Sequence, residues 1–196
     1  CHRRSVGASV CYRPAQLAWP VDPIMQIWDA RLPPSHYNRK ESYEMEKIAS
    51  FTVDHTRLLP GMYVSRVDGD ITTYDLRLCR PNIDPPLEID SMHTIEHLAA
   101  TYLRNSPLRD RVIYFGPMGC RTGFYLLIRN AEPSESIQAV RQTFRFIAGY
   151  EGDIPGVSPA ECGNWHSHNL ASARRDALRY ADVMEGWEPA NLGYSI

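Results

Sequence analysis

No stretch of the 196-residue chain approaches the ~18–20 consecutive apolar residues of a membrane-crossing helix, so no transmembrane segment is expected. The N-terminal residues lack the apolar core of a secretory leader. Charge of one sign is also scarce: a formal net charge of −2 and a pI near 6.4 give no reason to expect nucleic acid or a membrane surface as a partner. Cysteine is sparse, five residues at irregular spacing, and an odd count does not build a disulfide framework. A reducing, cytoplasmic setting fits better, and there a cysteine is a candidate ligand or catalytic group. Internal repeats, low-complexity tracts and repeated βαβ units are missing too, which argues against solenoids and parallel sheets.

What is present divides unequally. Residues 1–44 hold five of the fifteen prolines and no sustained helical or strand period beyond a short turn around 24–28. They are expected to be an N-terminal extension, or upstream sequence read in frame, without a fold of its own. From Met45 the pattern becomes regular, and 45–196 is expected to be one domain. Strands are predicted at 48–55, 62–67, 71–78, 111–115 and 123–128, with Asp68-Gly69-Asp70 as a hairpin turn. Helices are predicted from about 91 to 105, from a Ser134 cap to about 147, and from 170 to about 184. Meandering strands with interposed helices imply an α+β fold with a mainly antiparallel sheet.

The first of these helices carries His93-x-x-Glu96-His97. Ile95, Leu98, Ala99, Tyr102 and Leu103 fall on one face, with Asp90 or Ser91 placed to cap the N-terminus. At about 100° per residue, His93 and His97 lie one above the other on the opposite side. Two such imidazoles can reach one divalent ion at ~2.0–2.1 Å, with the adjoining carboxylate able to move a proton. A helix with a core face and a metal face needs a cover over the second, and that cover should bring a third ligand. Cys162, in Glu161-Cys-Gly-Asn164, would make a His₂Cys site with an open fourth position. Cys79 is a rival better suited to packing at a strand end, and His166 and His168 are further candidates whose i, i+2 spacing suits a metal only in an extended segment. Cys120 follows Gly116-Pro-Met-Gly119 at a loop–strand junction, where a thiol could be ionised and act as acid or base, or could simply pack.

Taken together, residues from about 46 to 196 resemble S-ribosylhomocysteine lyase, the LuxS family. The resemblance rests on five signatures in order: Ser50-Phe-x-x-Asp-His55; Tyr74-Asp-Leu-Arg77 with Arg80-Pro-Asn82; His93-Thr-Ile-Glu-His97; Pro117-Met-Gly-Cys-Arg-Thr-Gly-Phe-Tyr125; and Glu161-Cys-Gly-Asn164. It implies a homodimeric cytoplasmic enzyme with one Fe²⁺ per subunit, replaceable by Zn²⁺ or Co²⁺, held by His93, His97 and Cys162. The implied reaction cleaves the thioether of S-ribosylhomocysteine to homocysteine and 4,5-dihydroxy-2,3-pentanedione, the precursor of autoinducer-2 quorum-sensing signals, within the recycling of S-adenosylhomocysteine. The thioether becomes a leaving group only once a carbonyl lies β to it, so the carbonyl must migrate along the sugar before elimination. The resemblance assigns Cys120 to the early proton transfers, Glu96 to the later ones, and Ser50, His55 and Arg77 to substrate binding. Ser50 and His55 would enter the site of the second subunit. Many relatives carry an Asp before the Pro-Met-Gly-Cys turn where this chain has Tyr114-Phe-Gly116, so one expected substrate contact has no counterpart.

Two other readings compete. H-x-x-E-H also marks inverzincin peptidases, but these need a carboxylate third ligand and leave Cys120, Cys162 and Arg77 unexplained. A structural or sensory metal module would call for a fourth protein ligand and would give Glu96 no role.

Overall fold

Four strands and three helices follow one another among the described residues: β1 (Gly61–Asp68), β2 (Ile71–Arg77), α1 (Ile89–Arg104), β3 (Val112–Pro117), β4 (Gly123–Arg129), α2 (Pro133–Ala148) and α3 (Leu170–Met184). A 3-10 turn at Pro189–Asn191 follows. This computed structural model describes residues 46–48 and 51–194, within a compact unit of Glu46–Ile196. The expectations for the 1–44 extension and for Ser50 lie outside the described residues.

The strands form one antiparallel sheet in the order β1-β2-β4-β3. The α+β class with an antiparallel sheet, read from the meander of strands, is what the chain adopts. Gly69, at φ 60°, turns β1 into β2 so that Asp68 pairs with Ile71. Alternation along the strands sorts the side chains. Tyr74 and Leu76 of β2, with Phe124, Leu126 and Ile128 of β4, enter the core beneath the helices. Asp75 and Arg77 point to the other face, yet are only 3% and 2% exposed.

Helices α1 and α3 pack against β3 and β1 respectively, and α2 closes the layer against both. The stripe predicted on α1 is the buried one: Ile95, Leu98, Ala99 and Leu103 are at most 1% exposed. Tyr102 stacks on Phe146 of α2, with ring centroids 4.6 Å apart. Phe144 and Tyr180 meet edge to face between α2 and α3, at 4.6 Å.

Three local expectations are corrected. Residues 51–57 form successive turns rather than the end of a strand, because the Asp54 carboxylate accepts from the Thr56 amide at 2.9 Å and closes the chain on itself. Helix α1 begins two residues earlier than an Asp90 cap would allow, and three earlier than a Ser91 cap. Glu88 occupies the cap position, while Ser91 is buried and donates its hydroxyl to Asp176 of α3. Helix α2 starts at Pro133, not after a Ser134 cap, since proline suits the first helical position and Glu135 reaches back to the Glu132 amide at 2.9 Å.

Candidate metal centre and active site

Helix α1 presents His93, Glu96 and His97 away from its buried stripe, all three half-buried. The cover expected over this face is the segment between α2 and α3. Its two ends are stitched to the helix. The Asn169 amide donates to Thr94 Oγ1 at 2.9 Å and to the Asp90 carbonyl at 3.2 Å, and Ser167 Oγ donates to the Asp90 carboxylate. The Ser167 carbonyl lies 2.9 Å from His93 Nδ1, and the Pro155 carbonyl 2.7 Å from His97 Nδ1. A carbonyl oxygen only accepts, so each ring donates from Nδ1 and keeps its Nε2 lone pair for an ion. Gly156 makes the close approach possible: its φ is +73°, and a Cβ there would stand 3.3 Å from His97 Nδ1.

Cys162 Sγ lies 3.4 Å from His93 Nε2, and the donor atoms of His93, His97, Cys162 and His168 all lie within 4.8 Å of one another. Two borderline imidazole nitrogens and one soft thiolate suit a divalent transition ion, so the residues present fit a metal. Of the rival ligands, His168 joins this group and His166 does not; His166 packs its ring against Trp165 at 3.5 Å. Cys79 sits in the hydrophobic core, where burial pushes its thiol up. His55 bonds the Val53 carbonyl at 2.9 Å within its own turn and is not part of the group.

A second constellation occupies the sheet face away from the helices. Arg77 pairs with Asp75 through two hydrogen bonds, Nη2 at 2.6 Å and Nε at 3.1 Å. Tyr194 donates to the same carboxylate at 3.1 Å. The guanidinium also donates from Nη1 to Thr122 Oγ1 and faces Cys120 Sγ at 3.8 Å. Having accepted from Arg77, the Thr122 hydroxyl is free to donate to the sulfur, 3.0 Å away. Partial burial opposes ionisation of Cys120. The Thr122 hydroxyl and amide together with the Arg77 charge outweigh it and hold the thiol below its usual value. Cys120 is therefore an exposed thiol biased towards thiolate rather than a buried hydrophobe. Asp75 and Thr122 were not singled out by sequence reasoning. For Asp75 the signal available was the period of two that puts it on the same face as Arg77; Thr122 lies in the turn before β4, where no strand period applies.

Fold and site together define a class: an α+β protein with a His/Cys metal cluster between one helix and the segment that covers it, and an activated cysteine at a strand entry, the equipment for metal-assisted proton transfer. The family model for S-ribosylhomocysteinase (LuxS) matches residues 48–190. Relatives include the S-ribosylhomocysteine lyases of Porphyromonas gingivalis, 50% identical over 157 residues, and of Phocaeicola vulgatus, 48% identical over 157 residues. The first alignment covers 76% of this chain and 99% of the relative, the second 76% and 98%. The lyase of Clostridium beijerinckii is 48% identical over 157 residues, covering 76% of this chain and 99% of its own length. The chain belongs to the S-ribosylhomocysteinase (LuxS) family. No helix among the described residues is long and apolar enough to cross a membrane.

Proposed function

We propose that this protein is a metal-dependent carbon–sulfur lyase that cleaves S-ribosylhomocysteine to homocysteine and 4,5-dihydroxy-2,3-pentanedione, through residues 45–196, with 1–44 an extension outside the catalytic domain. The observation that carries the reading is the pair of imidazoles on α1, each with Nδ1 engaged by a backbone carbonyl, converging on Cys162. His93, His97 and Cys162 hold the ion, one per subunit. Fe²⁺ is the metal proposed, with Zn²⁺ or Co²⁺ able to substitute, because two imidazoles and one thiolate satisfy all three. When bound, the ion supplies Lewis acidity towards the sugar's carbonyl and hydroxyl oxygens.

The chain's own groups move the protons. Shifting the carbonyl from C1 to C2 and then to C3 removes a proton beside each carbonyl and returns it to the neighbouring carbon. Cys120 is suited to this because Thr122 and Arg77 favour its thiolate. With the carbonyl at C3, removal of the C4 proton breaks the C5–S bond and homocysteine leaves as thiolate, which then takes up a proton. Glu96, half-buried beside His97, serves this later stage. Arg77 binds substrate as well as biasing Cys120. Ser50 and His55 bind substrate in the site of a second subunit, which makes the enzyme a homodimer with shared sites. His55 is not one of the donors grouped in its own chain's metal cluster, in keeping with that assignment. The diketone product would feed autoinducer-2 signalling from a cytoplasmic enzyme.

The test is anaerobic reconstitution with Fe²⁺ or Co²⁺, followed by incubation with S-ribosylhomocysteine and measurement of free thiol. Metal-dependent release, abolished in Cys120→Ala and Glu96→Gln, is expected. Metal binding without release in both the full chain and a chain starting at Met45 would refute the lyase.

A further inference from the structure

His168 is the member of the cluster that a His93–His97–Cys162 site leaves over. Its Nδ1 lies 3.3 Å from Thr94 Oγ1. The Thr94 hydroxyl already donates its proton to the Asp90 carbonyl at 2.8 Å, and its oxygen accepts from the Asn169 amide at 2.9 Å. In the remaining contact His168 must therefore be the donor, which places its proton on Nδ1 and its lone pair on Nε2. That Nε2 is buried and has no hydrogen-bond partner among the described residues, although His168 belongs to the group whose donor atoms lie within 4.8 Å of one another. A buried polar atom without a partner calls for an explanation, and an absent ligand is the simplest.

Ring orientation decides which kind of ligand. An imidazole lone pair lies in the plane of its ring, so two imidazoles sharing one ion need planes that meet at it. His93 and His97 satisfy this, with planes at 90° and centroids 4.7 Å apart, and so do His97 and His168, at 72° and 4.7 Å; the pair that decides is His93 with His168. His168 instead stacks face to face on His93, with centroids 4.0 Å apart and planes only 21° from parallel. Lone pairs in two nearly parallel, stacked planes do not converge on one point, so an ion held by His93 would not be shared with His168. The His168 lone pair is thus left for a donor other than the ion.

We propose that His168 is a substrate-positioning residue rather than a fourth metal ligand: its Nε2 accepts a hydrogen bond from a hydroxyl of the sugar-derived substrate bound beside His93, His97 and Cys162. The proposal rests on the lyase reading above, which supplies a polyhydroxylated carbon chain as substrate. Nothing is transferred in this contact. The hydroxyl proton stays on its oxygen, and the imidazole, held from behind by Thr94, fixes which way that hydroxyl points.

The full chain loaded with Co²⁺ tests this with His168→Leu, which removes the acceptor, and His168→Gln, which retains one. Two readouts are needed: Co²⁺ affinity with the visible spectrum of the bound ion, and KM and kcat for thiol release from S-ribosylhomocysteine. The expected result is an unchanged Co²⁺ spectrum, affinity within about threefold of wild type, and kcat/KM lowered by about 10–100-fold in His168→Leu, partly restored in His168→Gln. The bound-ion spectrum also reports that each variant has folded. Co²⁺ affinity weakened tenfold or more in both variants, with an altered spectrum, would make His168 a ligand and overturn the proposal. Unchanged kcat/KM would reduce it to a stacking partner and overturn the proposal equally. Failure of the wild type to release thiol would instead overturn the lyase reading, so the two failures are told apart.

Discussion

Thr122→Val isolates the hydroxyl that the structure sets between Arg77 and Cys120. The substitution nearly preserves shape at a position 6% exposed, and removes a donor 3.0 Å from the sulfur. A hydrogen bond to a charged group is worth about 1.5–3 kcal/mol, and the exposure of Cys120 places this one at the low end. About 1.4 kcal/mol corresponds to one pKa unit, so the Cys120 thiol should titrate roughly one unit higher. The sign follows from the charged form: the bond favours thiolate, so its loss moves ionisation to higher pH. Alkylation of Cys120 by iodoacetamide, resolved by mass spectrometry from the other four cysteines, should show this as a shifted midpoint in the pH–rate profile. Below both midpoints the thiolate fraction falls about tenfold, but a more basic thiolate is intrinsically about threefold more reactive, so the net rate falls only about threefold. Well above both midpoints, the variant should react faster than the wild type. A midpoint unmoved by the substitution would show that the Thr122 hydroxyl does not stabilise the thiolate.

Other perturbations probe the cover, the ligands and the core. Gly156→Ala puts a side chain at φ +73° and a Cβ 3.3 Å from His97 Nδ1, so it should cost about 1–2 kcal/mol of stability and weaken metal binding, read by thermal unfolding and chelator competition. Cys162→Ser should abolish the thiolate-to-Co²⁺ charge-transfer band while leaving the metal-free fold intact by circular dichroism; a retained band would remove Cys162 from the ligand set. Phe144→Ala, at a position 0% exposed between α2 and α3, should destabilise the domain by about 3–5 kcal/mol in denaturant unfolding.

Much of the fold was legible because its signals are local. The stripe of Ile95, Leu98 and Leu103 is a consequence of the helical period, and the same period puts His93 and His97 together on the far side. Helix α3 runs Leu170–Met184, as its pattern predicts, with Asn169 accepting from the Ser172 amide at 3.0 Å to mark its start. The failures were also local competitions. Alternation at 48–55 suggests a strand, but Asp54 offers the backbone a nearer partner. Ser134 resembles a cap, but proline one residue earlier already fits the first helical turn.

By itself the sequence determined the donors and their chemistry: two histidines one turn apart, a cysteine on a later loop, a second cysteine behind a glycine-rich turn, and a family whose model spans 48–190. It could not rank His166 against His168, since spacing says nothing about how a loop crosses a helix face. Tertiary structure makes that choice by tying Ser167 and Asn169 to Asp90 and Thr94, which turns His168 inwards and leaves His166 beside Trp165. Likewise, the bias of Cys120 towards thiolate depends on a guanidinium 43 residues away in the chain, which antiparallel pairing of β2 with β4 carries to the same end of the sheet. Covalent order specifies which groups exist and which lie within one turn of each other. The distances that tune a lone pair or a thiol arise only when separate elements share a core.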